Sequence, residues 1–171
     1  WLVLDGAVDP QLGGARMGYE QIVGFETAFQ HYAQHCVDTG RCPLGGSVDE
    51  ARAKMKALFD QALKSPFPTA DSKRPLNRAA LYSTVISMMY REAFWTYLDQ
   101  GLSQLVEQND GSDILRFYDL FEERQGNKFK NNGKEAFWAI NCADYVPSPR
   151  AEYQQYADKL RTEAPVFGSS M

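Results

Sequence analysis

Two histidines and three cysteines are few for a chain of 171 residues, and their scarcity limits the chemistry it can perform. Histidine is the usual proton-transfer group near neutral pH, so a chain whose imidazoles are not catalytic does no such chemistry by itself. A basic excess is missing too. The 18 Lys and Arg face 22 Asp and Glu, for a formal charge of −4, which argues against a nucleic-acid partner. No apolar run approaches the ~20 residues that span a bilayer, so no transmembrane segment is expected. A G-x-S-x-G elbow, a phosphate-binding loop and a dinucleotide fingerprint are all absent. Gly45-Gly46-Ser47 and Gly111-Ser112-Asp113 do not fit the elbow, and Ser47 and Ser112 read as helix caps. Asn109 to Asp113 is acidic but lacks the ligand spacing and terminal Glu of a calcium loop. No cofactor and no metal are therefore expected, and no internal repeat points to a solenoid.

What is present is apolar and aromatic. Hydrophobic residues make up 44% of the chain, with ten Phe, nine Tyr and three Trp, enough to exclude disorder and to fill the core of one domain. The chain opens Trp1-Leu2-Val3-Leu4, with no Met and no charged leader, and continues Asp5-Gly6. This reads as a short buried-type strand and a turn, a piece of something longer whose sheet lies elsewhere.

Helices account for the rest. From Tyr19 to Cys36, Ile22, Phe25, Phe29, Tyr32, Ala33 and Cys36 share one face. Ser47-Val48-Asp49-Glu50 is a capping box for a second helix carrying Met55, Leu58, Phe59, Ala62 and Leu63, which Pro66-Phe67-Pro68 ends. A polar connection from Thr69 to Pro75 leads to a third helix, from Asn77 through Leu81, Val85, Ile86 and Met89. A fourth carries Phe94, Trp95, Leu98, Leu102, Leu105 and Val106 as far as the turn Asn109-Asp110-Gly111. Ser112 is expected to cap a fifth helix through Phe121, and Gly126 to Gly133 is a polar loop. A sixth helix covers Glu135 to Ala143, with Phe137 and Ile140 expected inward. Ser148-Pro149 reads as N-cap and first helical residue of a seventh, which ends near Glu163 before Pro165. The fold class is mainly α, about seven helices with one strand at the N-terminal edge.

Few side chains carry chemistry. His31 and His35 have the i, i+4 spacing of a metal pair, but no third ligand accompanies them, and they fall opposite the apolar face, toward solvent or a partner. Cys36 and Cys42 flank a short Gly- and Pro-containing loop. With no second Cys/His pair for zinc, they read as a disulfide, which implies an oxidising compartment. Cys142 is left over, either a buried thiol or half of a bridge to a residue elsewhere. Glu135 and Asp144 flank the Phe137/Trp138 helix, and Glu20 and Glu26 lie on the first. A carboxylate in a cleft can hold a ligand ammonium. The competing readings are a helix N-terminal charge for Glu135 and a C-terminal turn contact for Asp144. Tyr90, Trp95, Phe137 and Trp138 suit an apolar pocket, or at helical spacing a packed core.

The order of several segments resembles one family. Trp1 to Pro10 looks like the strand and exit loop that follow the nucleophile helix of α/β-hydrolases. Then come Gly24-Phe25-Glu26, Cys36…Cys42-Pro43-Leu44-Gly45, Arg74-Pro75-Leu76, Glu135-Ala136-Phe137-Trp138-Ala139-Ile140-Asn141-Cys142-Ala143-Asp144 and Ala164-Pro165-Val166-Phe167-Gly168. Together they resemble the secreted tripeptidyl aminopeptidases of actinobacteria. The resemblance implies a helical lid inserted in the catalytic domain of a serine exopeptidase that releases tripeptides from free N-termini. Residues 1–10 would belong to the catalytic core, 11–164 to the lid and 165–171 to the return. The catalytic residues would lie outside the chain, leaving it inactive alone, and a Cys further along would pair with Cys142. The implied partners are peptide substrates and the catalytic domain of the same polypeptide, in a secreted or envelope-bound protein. Two alternatives stand beside it: a free-standing secreted interaction domain, and the lid of a related lipase or esterase.

Overall fold

The structure is a computed structural model, described for residues 1–3, 7, 9, 11–145 and 147–170, with the side chain of residue 170 left out. Seven α-helices and one two-stranded hairpin make up the regular structure of the described residues, together with two short 3-10 turns. The helices are α1 (Gly14–Asp38), α2 (Val48–Lys64), α3 (Arg78–Met89), α4 (Trp95–Gln108), α5 (Ser112–Phe121), α6 (Gly133–Asp144) and α7 (Arg150–Glu163). The mainly helical class expected from the sequence is what the chain adopts. Trp1, Leu2 and Val3 form no strand and are exposed, and Leu4 to Gly6 fall outside the described residues.

Five of the seven helices, all but α4 and α7, begin where a side chain accepts one of their first amides. Ser47 Oγ accepts the Glu50 amide at 3.3 Å, while Glu50 Oε2 reaches back to the Gly46 amide at 2.7 Å, closing the expected box one residue early. Asn77 Oδ1 accepts the Ala80 amide at 2.9 Å at the start of α3. Two expected caps are corrected. Ser112 is the first residue of α5 rather than its cap, and the leading amides are taken by Asp110 Oδ1 (2.9 Å, from Ser112) and Gln104 Oε1 (3.1 Å, from Asp113). Ser148 does not cap α7, whose N-cap position is Pro149; its Oγ accepts the Ala15 amide of α1 at 3.2 Å. The polar loop expected after Gly126 is instead partly a hairpin: β1 (Arg124–Gln125) pairs antiparallel with β2 (Lys128–Phe129), turning through Gly126 at φ 59°.

The core lies between α1, α2, α3, α4 and α5 and is sealed by the residues after α7. Phe29, Tyr32, Ala33 and Cys36 of α1 meet Met55 and Phe59 of α2, and Leu81, Val85 and Met88 of α3. Phe167 then packs its ring against Phe29, Phe59 and Tyr82, at centroid distances of 5.7, 5.9 and 5.5 Å. Glu26 holds this seal. It is only 1% exposed, accepts Arg52 at 3.1 Å, and accepts the Val166 and Phe167 amides at 3.1 and 3.3 Å. A buried carboxylate survives because each donor around it is satisfied by it and it by them. Between α2 and α3, Phe67 and Leu76 exchange a pair of backbone hydrogen bonds, and Arg74 forks onto Asp119 of α5 at 2.8 and 2.6 Å. Glu20, by contrast, makes an exposed i, i+4 pair with Arg16.

Candidate functional site

Helix α6 departs from the pattern of the others. It is a regular helix, with Asn131 Oδ1 accepting the Gly133 amide at 2.9 Å and Glu135 in its first turn, where the positive end of the helix favours an acid. Yet none of its residues is buried. Phe137, Trp138 and Ile140 are 57%, 59% and 58% exposed. The expectation that Phe137 and Ile140 point into the core is therefore corrected. The core cluster includes Ile114, Val166 and Phe167 but no residue of α6, which follows the hairpin in chain order.

Two clefts border this helix and share one wall. The larger, about 540 Å³, lies between α6, the start of α1 and the connection into α7; Met17, Phe137, Trp138, Tyr145, Pro147 and Tyr153 form its apolar lining. Gln21, Asn141 and Cys142 add uncharged polar groups. The smaller, about 250 Å³, is bounded by Glu122, Phe129, Asn131, Lys134, Glu135 and Trp138. Within it, Lys134 Nζ neutralises Glu122 at 2.5 Å, and Asn131 donates to Glu123 at 2.7 Å. Glu135 makes no ion pair or hydrogen bond through its carboxylate among the described residues and is exposed. It is the unneutralised anion of this cleft.

The other residues singled out from sequence lie elsewhere. Asp144, also exposed, ends α6. Nine residues separate it from Glu135, about 13 Å along the axis and half a turn around it, so the two carboxylates do not share a cleft. Tyr90 sits exposed after α3 with its ring edge-on to Phe25 at 5.5 Å. Trp95 is buried against Tyr32 and His35, at 5.7 and 5.2 Å. Of the four aromatics, only Phe137 and Trp138 line a common cleft, in a T-shaped pair at 5.5 Å. His31 and His35 are exposed as expected, and no group of metal-ligating side chains forms among the described residues. Cys36 and Cys42 form the expected disulfide. Cys142 is a free, exposed thiol at the edge of the larger cleft, so the buried-thiol reading is corrected.

Two features were not foreseen. One is the burial of Glu26. The other is a polar cleft of about 560 Å³ near the disulfide, where His35, Arg41 and Asp99 meet. There the Tyr32 hydroxyl donates to Asp99 Oδ1 at 2.6 Å. Burial pushes the Asp99 carboxyl above its ordinary range, against the opposing pull of the Tyr32 hydrogen bond and the His35 charge. Burial and the nearby carboxylate push the Tyr32 hydroxyl far up. For both residues the signal was a polar group on an otherwise apolar helical stripe.

No protein-family model matches the chain. Curated relatives do. Over 165 residues, 96% of this chain and 32% of the relative, it is 32% identical to Carboxylesterase B of Mycobacterium tuberculosis. Over 153 residues, 85% of this chain and 29% of the relative, it is 32% identical to Serine protease Hip1 of Mycobacterium tuberculosis, and equally to Serine protease Hip1 of Mycobacterium bovis. The chain spans about a third of the length of these relatives. It is related to mycobacterial hydrolases.

Proposed function

We propose that this chain is the helical lid of a serine exopeptidase, roofing the cleft in which short peptides, tripeptides above all, are cut from free N-termini. The observation that carries the reading is α6: an intact helix with Phe137, Trp138 and Ile140 turned outward and an unneutralised Glu135 beside them. Exposed aromatics of this density mark a surface that another body covers. The similarity to proteins named as a serine protease and a carboxylesterase, each about three times longer than the matched segment, supports a hydrolase as that body.

In this reading the nucleophilic Ser, its His and Asp belong to the remainder of the longer polypeptide, as does the partner of Cys142. Residues 1–10 and 165–171 are the two connections to that catalytic domain, and 11–164 the lid between them. The Ser attacks the scissile carbonyl, the His carries its proton to the leaving amine, and water then releases the peptide acid. The lid excludes bulk water and limits how much peptide fits ahead of the cut bond. A peptide N-terminus is an ammonium, and Glu135 supplies the anion that stops it, with Asp144 as the other acid on the helix. The disulfide and the lack of any described helix long and apolar enough to cross a membrane support a secreted or envelope location.

The test is hydrolysis by the full-length polypeptide of tripeptide amides with free or acetylated N-termini. Free-amine substrates are expected to be cut, acetylated ones poorly, and Glu135→Gln to lower kcat/KM on the free amine about tenfold or more. Equal rates on both substrate forms would refute the lid-and-anchor reading. The name Carboxylesterase B favours one further reading, an esterase lid; short acyl esters cut far faster than any peptide would select it.

A further inference from the structure

We propose that Trp138 makes this lid selective for peptides whose first residue is large and apolar, a reading that rests on the exopeptidase function above. Trp138 is the residue common to both clefts: on one side stands the free carboxylate of Glu135, on the other the apolar lining of Met17, Phe137 and Tyr153. Such a wall sorts the two ends of a single residue. The ammonium goes to Glu135, in the charged cleft where Glu122 is already neutralised by Lys134 at 2.5 Å. The side chain goes over the indole into the larger cleft, whose volume of about 540 Å³ accepts a Phe or Leu. The exposed indole face also attracts the ammonium itself.

Charge decides against the other classes of first residue. The polar groups of the larger cleft, Gln21 and Asn141, are neutral, so a Lys or Arg side chain finds no counter-ion there. An acidic side chain is repelled by Glu135. A Gly places its ammonium equally well but leaves the aromatic lining wet and gains nothing from it.

The experiment uses the full-length polypeptide and fluorogenic tripeptide amides that differ only in the first residue: Gly, Leu, Phe or Lys. In the wild type, kcat/KM for Phe and Leu should exceed that for Gly by about tenfold or more, the discrimination a hydrophobic pocket gives, with Lys lowest. Trp138→Ala should shrink the Phe-to-Gly ratio about tenfold, chiefly through KM, and Trp138→Phe should restore most of it. Leu63→Ala, exposed at the end of α2, should leave the ratio unchanged. Because Trp138 is 59% exposed, circular dichroism and the thermal midpoint of its variants should match the wild type. Peptide release that continues with a Phe-to-Gly ratio unmoved in Trp138→Ala overturns this inference and leaves the lid reading standing. A wild type that prefers Gly or Lys does the same. No hydrolysis of any free-amine tripeptide overturns both.

Discussion

Replacing Glu26 by Ala removes the acceptor of two buried backbone amides and of the Arg52 guanidinium at one stroke. Val166 and Phe167 would each lose the acceptor that Glu26 Oε2 gives their buried amides, at 3.1 and 3.3 Å. An unsatisfied buried donor costs about 1–3 kcal/mol, and breaking a buried charge pair from one side costs about 3–5 kcal/mol in all. We therefore expect Glu26→Ala to lose about 3–5 kcal/mol, a large part of the ~5–15 kcal/mol that holds a domain together. That corresponds to a fall of about 10 °C in thermal midpoint for a chain of this size. Arg52→Ala should cost less, about 1–3 kcal/mol: it leaves the buried Glu26 carboxylate without its counter-charge, but Glu26 keeps both amides and the Arg52 side chain is 25% exposed. Urea unfolding of the oxidised chain, read at constant slope, measures both variants. If Glu26→Ala costs no more than Arg52→Ala, the carboxylate is not what holds the C-terminal seal.

Asp99 sets a pH dependence. Its carboxyl titrates above the ordinary value in the folded chain, so its contribution to stability is fully present below about pH 3.9 and is lost as pH rises through the raised folded value. Asp99→Asn, whose amide oxygen can still accept from Tyr32, should gain stability relative to wild type as pH rises from about 3.9 through the raised folded value. A difference in thermal midpoint that stays flat across that range would contradict this. Two glycines should respond in opposite directions to Ala. Gly24 lies inside α1 with open space where a Cβ would go, so Ala should stabilise by about 0.5–1 kcal/mol. At Gly168 a Cβ would meet the Leu160 carbonyl oxygen at 2.4 Å, so Ala should cost about 1–3 kcal/mol; thermal unfolding of the two variants compares them directly.

Helical periodicity located the bundle well, because Phe29, Tyr32, Ala33 and Cys36, or Leu98, Leu102 and Leu105, repeat at the helical period and are buried as that repeat requires. It failed at α6 for a physical reason. Apolar spacing reports that a face would lose water favourably, not that its covering surface is present in the same bundle. Phe137 and Ile140 carry the first signal without the second. Serines misled for a related reason. Ser112 and Ser148 have the composition of local caps, yet Ser148 serves a helix 133 residues away and Ser112 accepts the Ala70 amide at 2.8 Å. Of the candidate site residues, Trp138 lines both clefts beside α6, with Phe137 in the larger and Glu135 in the smaller, while Trp95 and Tyr90, indistinguishable from them by residue type alone, lie elsewhere.

The bond from Ser148 to Ala15, and the seal of Glu26 by Val166 and Phe167, also fix the order in which the molecule can be finished on the ribosome. At about 5–20 residues per second, the start of α1 emerges roughly 7 to 28 seconds before its cap, and Glu26 waits about as long for its amides. A nascent chain in that interval lacks both locks. Phe29, Phe59 and Tyr82 all meet the Phe167 ring, so the residues just after α7 close a bundle whose other parts have already emerged.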